Sequence, residues 1–140
     1  MEGKEFKNPG SGVGEANHIK PLKILIAEDD EGSAMLIEIA VRMFGKEILQ
    51  AKTGAEAVEV CRNNPDIDLV LMDIKMPVMD GYEATREIRK FNKNMVIIAQ
   101  TAYALIGDRE KTLEAGCNNY ISKPLIKDQL LALLMKYFKN

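Results

Sequence analysis

The sequence predicts an α/β fold: a doubly wound sheet of five parallel strands, ordered 2-1-3-4-5, with five helices covering both faces. Three observations carry that expectation. Short apolar runs alternate with helix-length amphipathic segments from Lys23 to the end of the chain. The runs are nearly continuous in Ile, Leu, Val and Ala, which marks strands buried on both faces. Gly, Pro and capping residues punctuate the junctions. Right-handed crossovers leave few topologies for such a chain, and 2-1-3-4-5 is the usual one for five strands.

Taken in order, Lys23–Ala27 (KILIA) reads as the first strand. Glu31–Phe44 follows at helical spacing, with Leu36, Ile39, Ala40 and Met43 expected to face the core and Gly45 to end the helix. Glu47–Ala51 is a weaker strand. Thr53 and Glu56 form a capping-box pair opening a helix that runs to about Asn63 and stops near Pro65. Asp68–Met72 (DLVLM) is a strongly apolar strand. Met79–Phe91 is a helix, with Asp80 near its N-terminus rather than in a hairpin turn. Met95–Gln100 is a strand, Gly107–Ala115 a shorter helix ending at Gly116, and Asn119–Ile121 a brief strand. Lys127–Phe138 closes the chain as a helix with Leu130, Leu133, Leu134 and Tyr137 facing inward.

Composition narrows the function. The chain has 140 residues, 46% apolar and 29% charged, a balance that suits one globular domain with a real core. A net charge of -2 gives no broad electrostatic grip on nucleic acid or membrane. No apolar run is long enough to span a bilayer, and the N-terminus carries no hydrophobic signal segment. Cys61 and Cys117 stand far apart in no CxxC pattern and read as small buried side chains in a reducing compartment. Residues 1–20, rich in Gly with scattered charge, read as a flexible linker or tail, and 21–140 as the domain. His18 is a solvated residue of that tail.

The candidate chemistry lies at strand ends. Glu28, Asp29 and Asp30 follow the first strand, Asp73 follows the third, Thr101 the fourth, and Lys123 stands just after the fifth. In the expected order the first and third strands are neighbours, so several carboxylates converge. Packed carboxylates repel, and all-oxygen ligands suit a hard divalent cation, Mg²⁺ above all, whereas no His or Cys favours zinc. Lys123 adds a positive charge and Thr101 a hydroxyl. A nucleophilic aspartate with those companions describes a site for making an acyl phosphate, a reaction that needs mainly positioning and charge neutralisation. Asp30 and Glu31 read as helix-capping acids instead.

The motifs KILIAEDD, LVLMDIKMPVMDGYEATREIR, QTA and GCNNYISKPL together resemble the receiver domain of two-component response regulators, over nearly all of Lys23 to Asn140. The resemblance implies that Asp73 accepts a phosphoryl group from a phosphohistidine on a histidine kinase or histidine phosphotransfer protein. It implies that Asp29 ligates Mg²⁺ directly, Glu28 through water, and Lys75 through its backbone carbonyl. Lys123 contacts the phosphoryl group and its bond to Pro124 is cis. Thr101 and Tyr120 form the switch pair, and Lys75 and Tyr103 tune the dephosphorylation rate. The isolated domain is then a phosphoacceptor in the cytoplasm, or in the cytoplasmic portion of a sensor, and not a turnover enzyme. MPVMDGYEATREIR resembles receivers joined to hybrid histidine kinases. Glu28 stands where Asp is commoner, and Gln100 where an apolar residue is usual. Two rival readings fit less well. A phosphohydrolase resembling haloacid dehalogenases places its nucleophile after the first strand, with an Asp two positions on, where this chain has Lys75. A flavodoxin-like electron carrier needs a phosphate-binding loop where this chain has EDD.

Overall fold

Six consecutive buried residues, Leu22–Ala27, form β1, an interior strand of a parallel sheet. The computed structural model describes residues 19–102 and 106–139. After β1 come α1 (Glu31–Val41), β2 (Gly45–Ala51), α2 (Gly54–Asn63), β3 (Leu69–Asp73), α3 (Gly81–Arg89), β4 (Val96–Thr101), α4 (Ile106–Ala115), β5 (Asn119–Ser122) and α5 (Lys127–Phe138). The sheet order is β2-β1-β3-β4-β5 with every pair parallel, as the sequence predicts. The order reverses between β1 and β3. Their carboxyl ends therefore open into a crevice that no crossover helix covers.

Side chains alternate across the sheet and build two cores. Leu25, Val70, Met72, Ile97 and Ala99 pack with Val58, Ala84 and Ile88 on one face. Ile24, Ile26, Leu71, Ile98 and Ile121 pack with Ile37, Val41, Leu130 and Leu134 on the other. Lys23 is the one charged residue of β1. Its stem is buried, while Nζ emerges at the sheet's amino edge, 3.0 Å from both Asn64 Oδ1 and Asp66 Oδ1. Cys61 and Cys117 are both buried and unbridged.

The structure changes three expectations. In α1 the buried residues are Ala34, Ile37 and Val41, while Leu36 (69%) and Ile39 (53%) are exposed and Met43 (39%) is largely so. The apolar residues of this helix nearly encircle it, so periodicity did not single out the inward stripe. The α-helix also stops at Val41, tightens into a 3₁₀ turn over Arg42–Phe44, and passes at Gly45 directly into β2. Gly45 is extended there (φ -101°, ψ 134°), not left-handed. Finally Ile19, assigned by composition to the linker, is buried in the α1–α5 core and bridges Lys139.

The caps follow the sequence closely. The Asp30 carboxylate accepts from the Ser33 amide at 2.8 Å, Thr53 Oγ1 from the Glu56 amide at 3.0 Å, and the Asp80 carboxylate from the Glu83 amide at 2.9 Å. The second half of the capping box is displaced by one residue: Glu56 Oε1 accepts from the Lys52 amide, at 2.8 Å, rather than from Thr53. In α5, Leu130 and Leu134 are fully buried and Leu133 packs at the margin. The Tyr137 hydroxyl donates to the Asn118 carbonyl at 3.0 Å.

Candidate functional site

β1 and β3 lie side by side with Ala27 opposite Met72, so the next residues of each strand emerge together at the carboxyl edge. Glu28, Asp29 and Asp73 each bring a carboxylate oxygen to within 4.8 Å of the other two. Glu28 and Asp73 are buried and Asp29 is exposed. Lys123 arrives from the β5–α5 turn, across a cis bond to Pro124. Its Nζ sits 2.7 Å from Glu28 Oε1 and 3.2 Å from Asp73 Oδ1. Two backbone amides complete the polar shell. Asp30 N donates to Glu28 Oε2 at 3.2 Å, and Lys75 N to Asp73 Oδ1 at 3.3 Å.

The electrostatics follow from burial. Asp73 loses water around its charge and faces the Glu28 carboxylate. Together these push its pKa up to about 6 against the pull of Lys123. Burial by itself would lower the Lys123 ammonium, but the Glu28 hydrogen bond and the Asp73 charge outweigh it and hold the ammonium above its ordinary value. Two buried acids that share Lys123 and a third acid at the rim, with no soft ligand beside them among the described residues, form a donor set that fits a hard divalent cation.

The β3–α3 loop is held against Asp73 by a glycine. Gly81 N donates to the Ile74 carbonyl at 2.9 Å, and a Cβ at Gly81 would overlap the Asp73 carbonyl oxygen. Val78, at the tip, is fully exposed and adopts a left-handed φ of 70°. In the sequence Gly81 marks only a helix start, because residue type does not announce that the loop folds back against the end of β3.

The remaining expected residues divide. Thr101 is buried at the end of β4, one residue past Gln100, which pairs with Asp73. Thr101 lines an open cavity of about 630 Å³ with Ile74, Lys75, Tyr82 and Asp108. Tyr120 is half-buried, and its ring packs on the core that holds Ala99 and Cys117. The Lys75 side chain is exposed. Tyr103 and His18 lie outside the described residues. Gln100 is 1% exposed, with neither side-chain polar atom hydrogen-bonded.

A doubly wound sheet with a lysine-tethered aspartate among acids at its switch point defines a class: a small α/β phosphoacceptor domain. The chain belongs to the response regulator receiver domain family, whose model matches residues 24–135. It is a receiver of two-component signalling. It is 38% identical over 133 residues to two-component system protein A of Emericella nidulans, covering 93% of this chain and 20% of that protein. The chain thus spans about a fifth of that relative. With the polar-differentiation response regulator DivK of Brucella anthropi it shares 32% identity over 119 residues, 84% of this chain and 96% of DivK. Among solved structures it resembles the receiver domain of the sensor histidine kinase PA1611 from Pseudomonas aeruginosa, with magnesium in its active-site cleft. That likeness has 39% identity and a TM-score of 0.74, over 84% of this chain and 97% of that one. It also resembles a chain of the Saccharomyces cerevisiae complex between the histidine phosphotransfer protein Ypd1 and the Ssk1 receiver. Here identity is 28% and the TM-score 0.79, over 86% and 90% of the two chains.

Proposed function

We propose that Asp73 is the phosphoacceptor of this receiver, that Glu28, Asp29, Asp73 and the Lys75 carbonyl hold Mg²⁺, and that Lys123 steadies the transferred group. The carrying observation is the convergence of three carboxylates on one lysine at the sheet's switch point. An Asp73 oxygen attacks the phosphorus of a phosphohistidine in line. The new O–P bond forms as the N–P bond breaks, and the electron pair leaves with the imidazole of the partner. Bound Mg²⁺ supplies neutralisation of the charge gathered between the acids and the phosphoryl oxygens. The product carries nearly two negative charges where one stood. Thr101 donates its hydroxyl to a phosphoryl oxygen, and Tyr120 adjusts on the same sheet face, changing the surface of α4, β5 and α5. Lys75 and Tyr103 tune how long the phosphate survives.

The donor is a histidine kinase or a histidine phosphotransfer protein. Met35 (63% exposed), which lines a cleft with Glu28, and Ile39, one turn further along the helix, offer it an apolar face on α1. The domain works in the cytoplasm, alone or within a hybrid histidine kinase, and accepts one phosphate without turning over substrate. No helix among the described residues is long and apolar enough to cross a membrane.

Incubation with Mg²⁺ and acetyl phosphate should add one phosphate by mass spectrometry in the wild type and none in Asp73→Asn. Equal labelling of the variant would overturn the assignment. Ile39→Asp should slow transfer from a phosphorylated phosphotransfer protein while leaving labelling by acetyl phosphate unchanged.

A further inference from the structure

Among the described residues, the acidic site leaves one buried polar side chain, Gln100, unexplained. Gln100 lies on β4 opposite Asp73, and its backbone carbonyl accepts from the Ile74 amide at 3.1 Å. Its carboxamide is buried, and neither Nε2 nor Oε1 has a hydrogen-bond partner. A buried amide left unmatched in both its donor and its acceptor is uncommon, because nothing replaces the water it has lost. In a strand the side chains alternate, so Gln100 shares the sheet face of Ile98, whose neighbours include Ile37 and Leu130.

That face opens onto a cavity of about 350 Å³ between α1 and the turn entering α5, lined by Ser33, Leu36, Ile37, Gln100, Pro124 and Leu125, with Lys123 at its wall. The volume falls at the low end of small-ligand pockets, which run from roughly 300 to 1,000 Å³. The lining also has their usual make-up. Leu36, Ile37, Pro124 and Leu125 supply apolar surface, and a few polar groups, Ser33 and Gln100 among them, can fix an orientation. Leu36 is 69% exposed, so apolar surface at the mouth is still unburied.

We propose that this cavity is a binding site for a small uncharged carboxamide with an apolar body. An amide presents one donor face and one acceptor face, which is the complement of the Gln100 group. The apolar body would cover Leu36 and Leu125. An anion is disfavoured, because the nearby Lys123 is already engaged by Glu28 and Asp73. A bare hydrocarbon would fill the space but leave Gln100 unmatched. A peptide segment shares the amide chemistry, but its chain must also enter and leave a space this small. Binding requires the Gln100 side chain to turn about its own torsions toward the cavity it lines, a change between staggered rotamers. The cavity adjoins the acidic site through Lys123, but its binding does not rest on the role assigned to Asp73.

Benzamide is the probe. In unphosphorylated protein without Mg²⁺, titration followed by ¹H–¹⁵N and methyl NMR should shift the Gln100 side-chain NH₂ pair and the Leu36 and Leu125 methyls together and saturably. Toluene should bind at least tenfold more weakly. Gln100→Met keeps the length and apolar fit of the side chain while removing its donor and acceptor. It should weaken benzamide at least tenfold and leave toluene unchanged. Leu36→Lys, an exposed substitution that leaves the core intact, should weaken both probes. Acetyl-leucine methylamide serves as the peptide-like probe and should bind more weakly than benzamide. Benzamide shifts that never saturate, equal affinity in Gln100→Met, or no preference over toluene would each overturn the proposal. Tighter binding of the peptide-like probe would overturn it in favour of a partner's backbone. Acetyl phosphate labelling of the same samples reads the Asp73 assignment separately.

Discussion

Lys123 is bound more closely to Glu28 than to Asp73: its Nζ lies 2.7 Å from Glu28 Oε1 and 3.2 Å from Asp73 Oδ1. The two partners stand 95 residues apart in the chain, so this contact ties the β5–α5 turn to the end of β1. It anchors the ammonium beside Asp73 without committing it wholly to that carboxylate. Under the proposed function, Lys123 follows charge that develops on a group bound at Asp73 while Glu28 keeps it in place.

Replacing Lys123 by Ala leaves two buried carboxylates facing each other without a cation. We expect a loss of about 3 kcal/mol at neutral pH in metal-free buffer, the usual cost of breaking a buried pair from one side. Mg²⁺ or a lower pH should restore part of it. Denaturant melts of K123A with and without Mg²⁺ provide the check, and a metal-independent loss would contradict this electrostatic account.

The raised Asp73 pKa sets a pH dependence of the metal-free protein. Its carboxyl holds a proton more tightly folded than unfolded, so folding is favoured by protonation. Stability should therefore fall as pH rises from about 4 to about 6, and this contribution should be flat above that. Asp73→Asn lacks the penalty. It should match the wild type near pH 4 and be more stable at pH 7, with a ceiling of about 3 kcal/mol. Urea melts in EDTA across that range test the sign.

Metal binding should reverse that penalty. With Mg²⁺ at a hundredfold its dissociation constant, the native state gains about 2.7 kcal/mol. Asp29 is the exposed member of the cluster, so Asp29→Asn should spare the metal-free fold while weakening Mg²⁺ at least about tenfold, ~1.4 kcal/mol. Calorimetric titration of D29N beside the wild type measures both terms.

The loop after Asp73 should respond oppositely at its tip and at its far end. Gly81→Ala forces a methyl into the Asp73 carbonyl and should cost about 1–3 kcal/mol while shifting the Asp73 carboxylate. Val78 holds a left-handed φ with its side chain in solvent, so Val78→Gly relieves strain and loses no packing. A net gain of up to about 1 kcal/mol is expected, since the strain of roughly 1–2 kcal/mol exceeds glycine's entropic cost. Thermal melts of the two variants separate the effects.

Much of this protein is determined locally. The buried strands, the caps at Asp30, Thr53 and Asp80, and the gathering of Glu28, Asp29, Asp73, Thr101 and Lys123 at one sheet edge follow from residue type and spacing. Each depends on the chain within a few residues, or on a topology that parallel crossovers restrict. Contacts between distant segments decided the rest. The inward stripe of α1 is Ala34, Ile37 and Val41 because the sheet surface admits that row, while Leu36 and Ile39 are just as apolar. Lys123 prefers Glu28 because a turn and a strand end meet at that distance. Gly81 is required because the loop folds the start of α3 back against the end of β3. Gln100, polar at a position that periodicity marks as core, stays unmatched because its surroundings come from α1 and α5. Such contacts join residues whose separation in sequence carries no period, so only the folded chain reveals them.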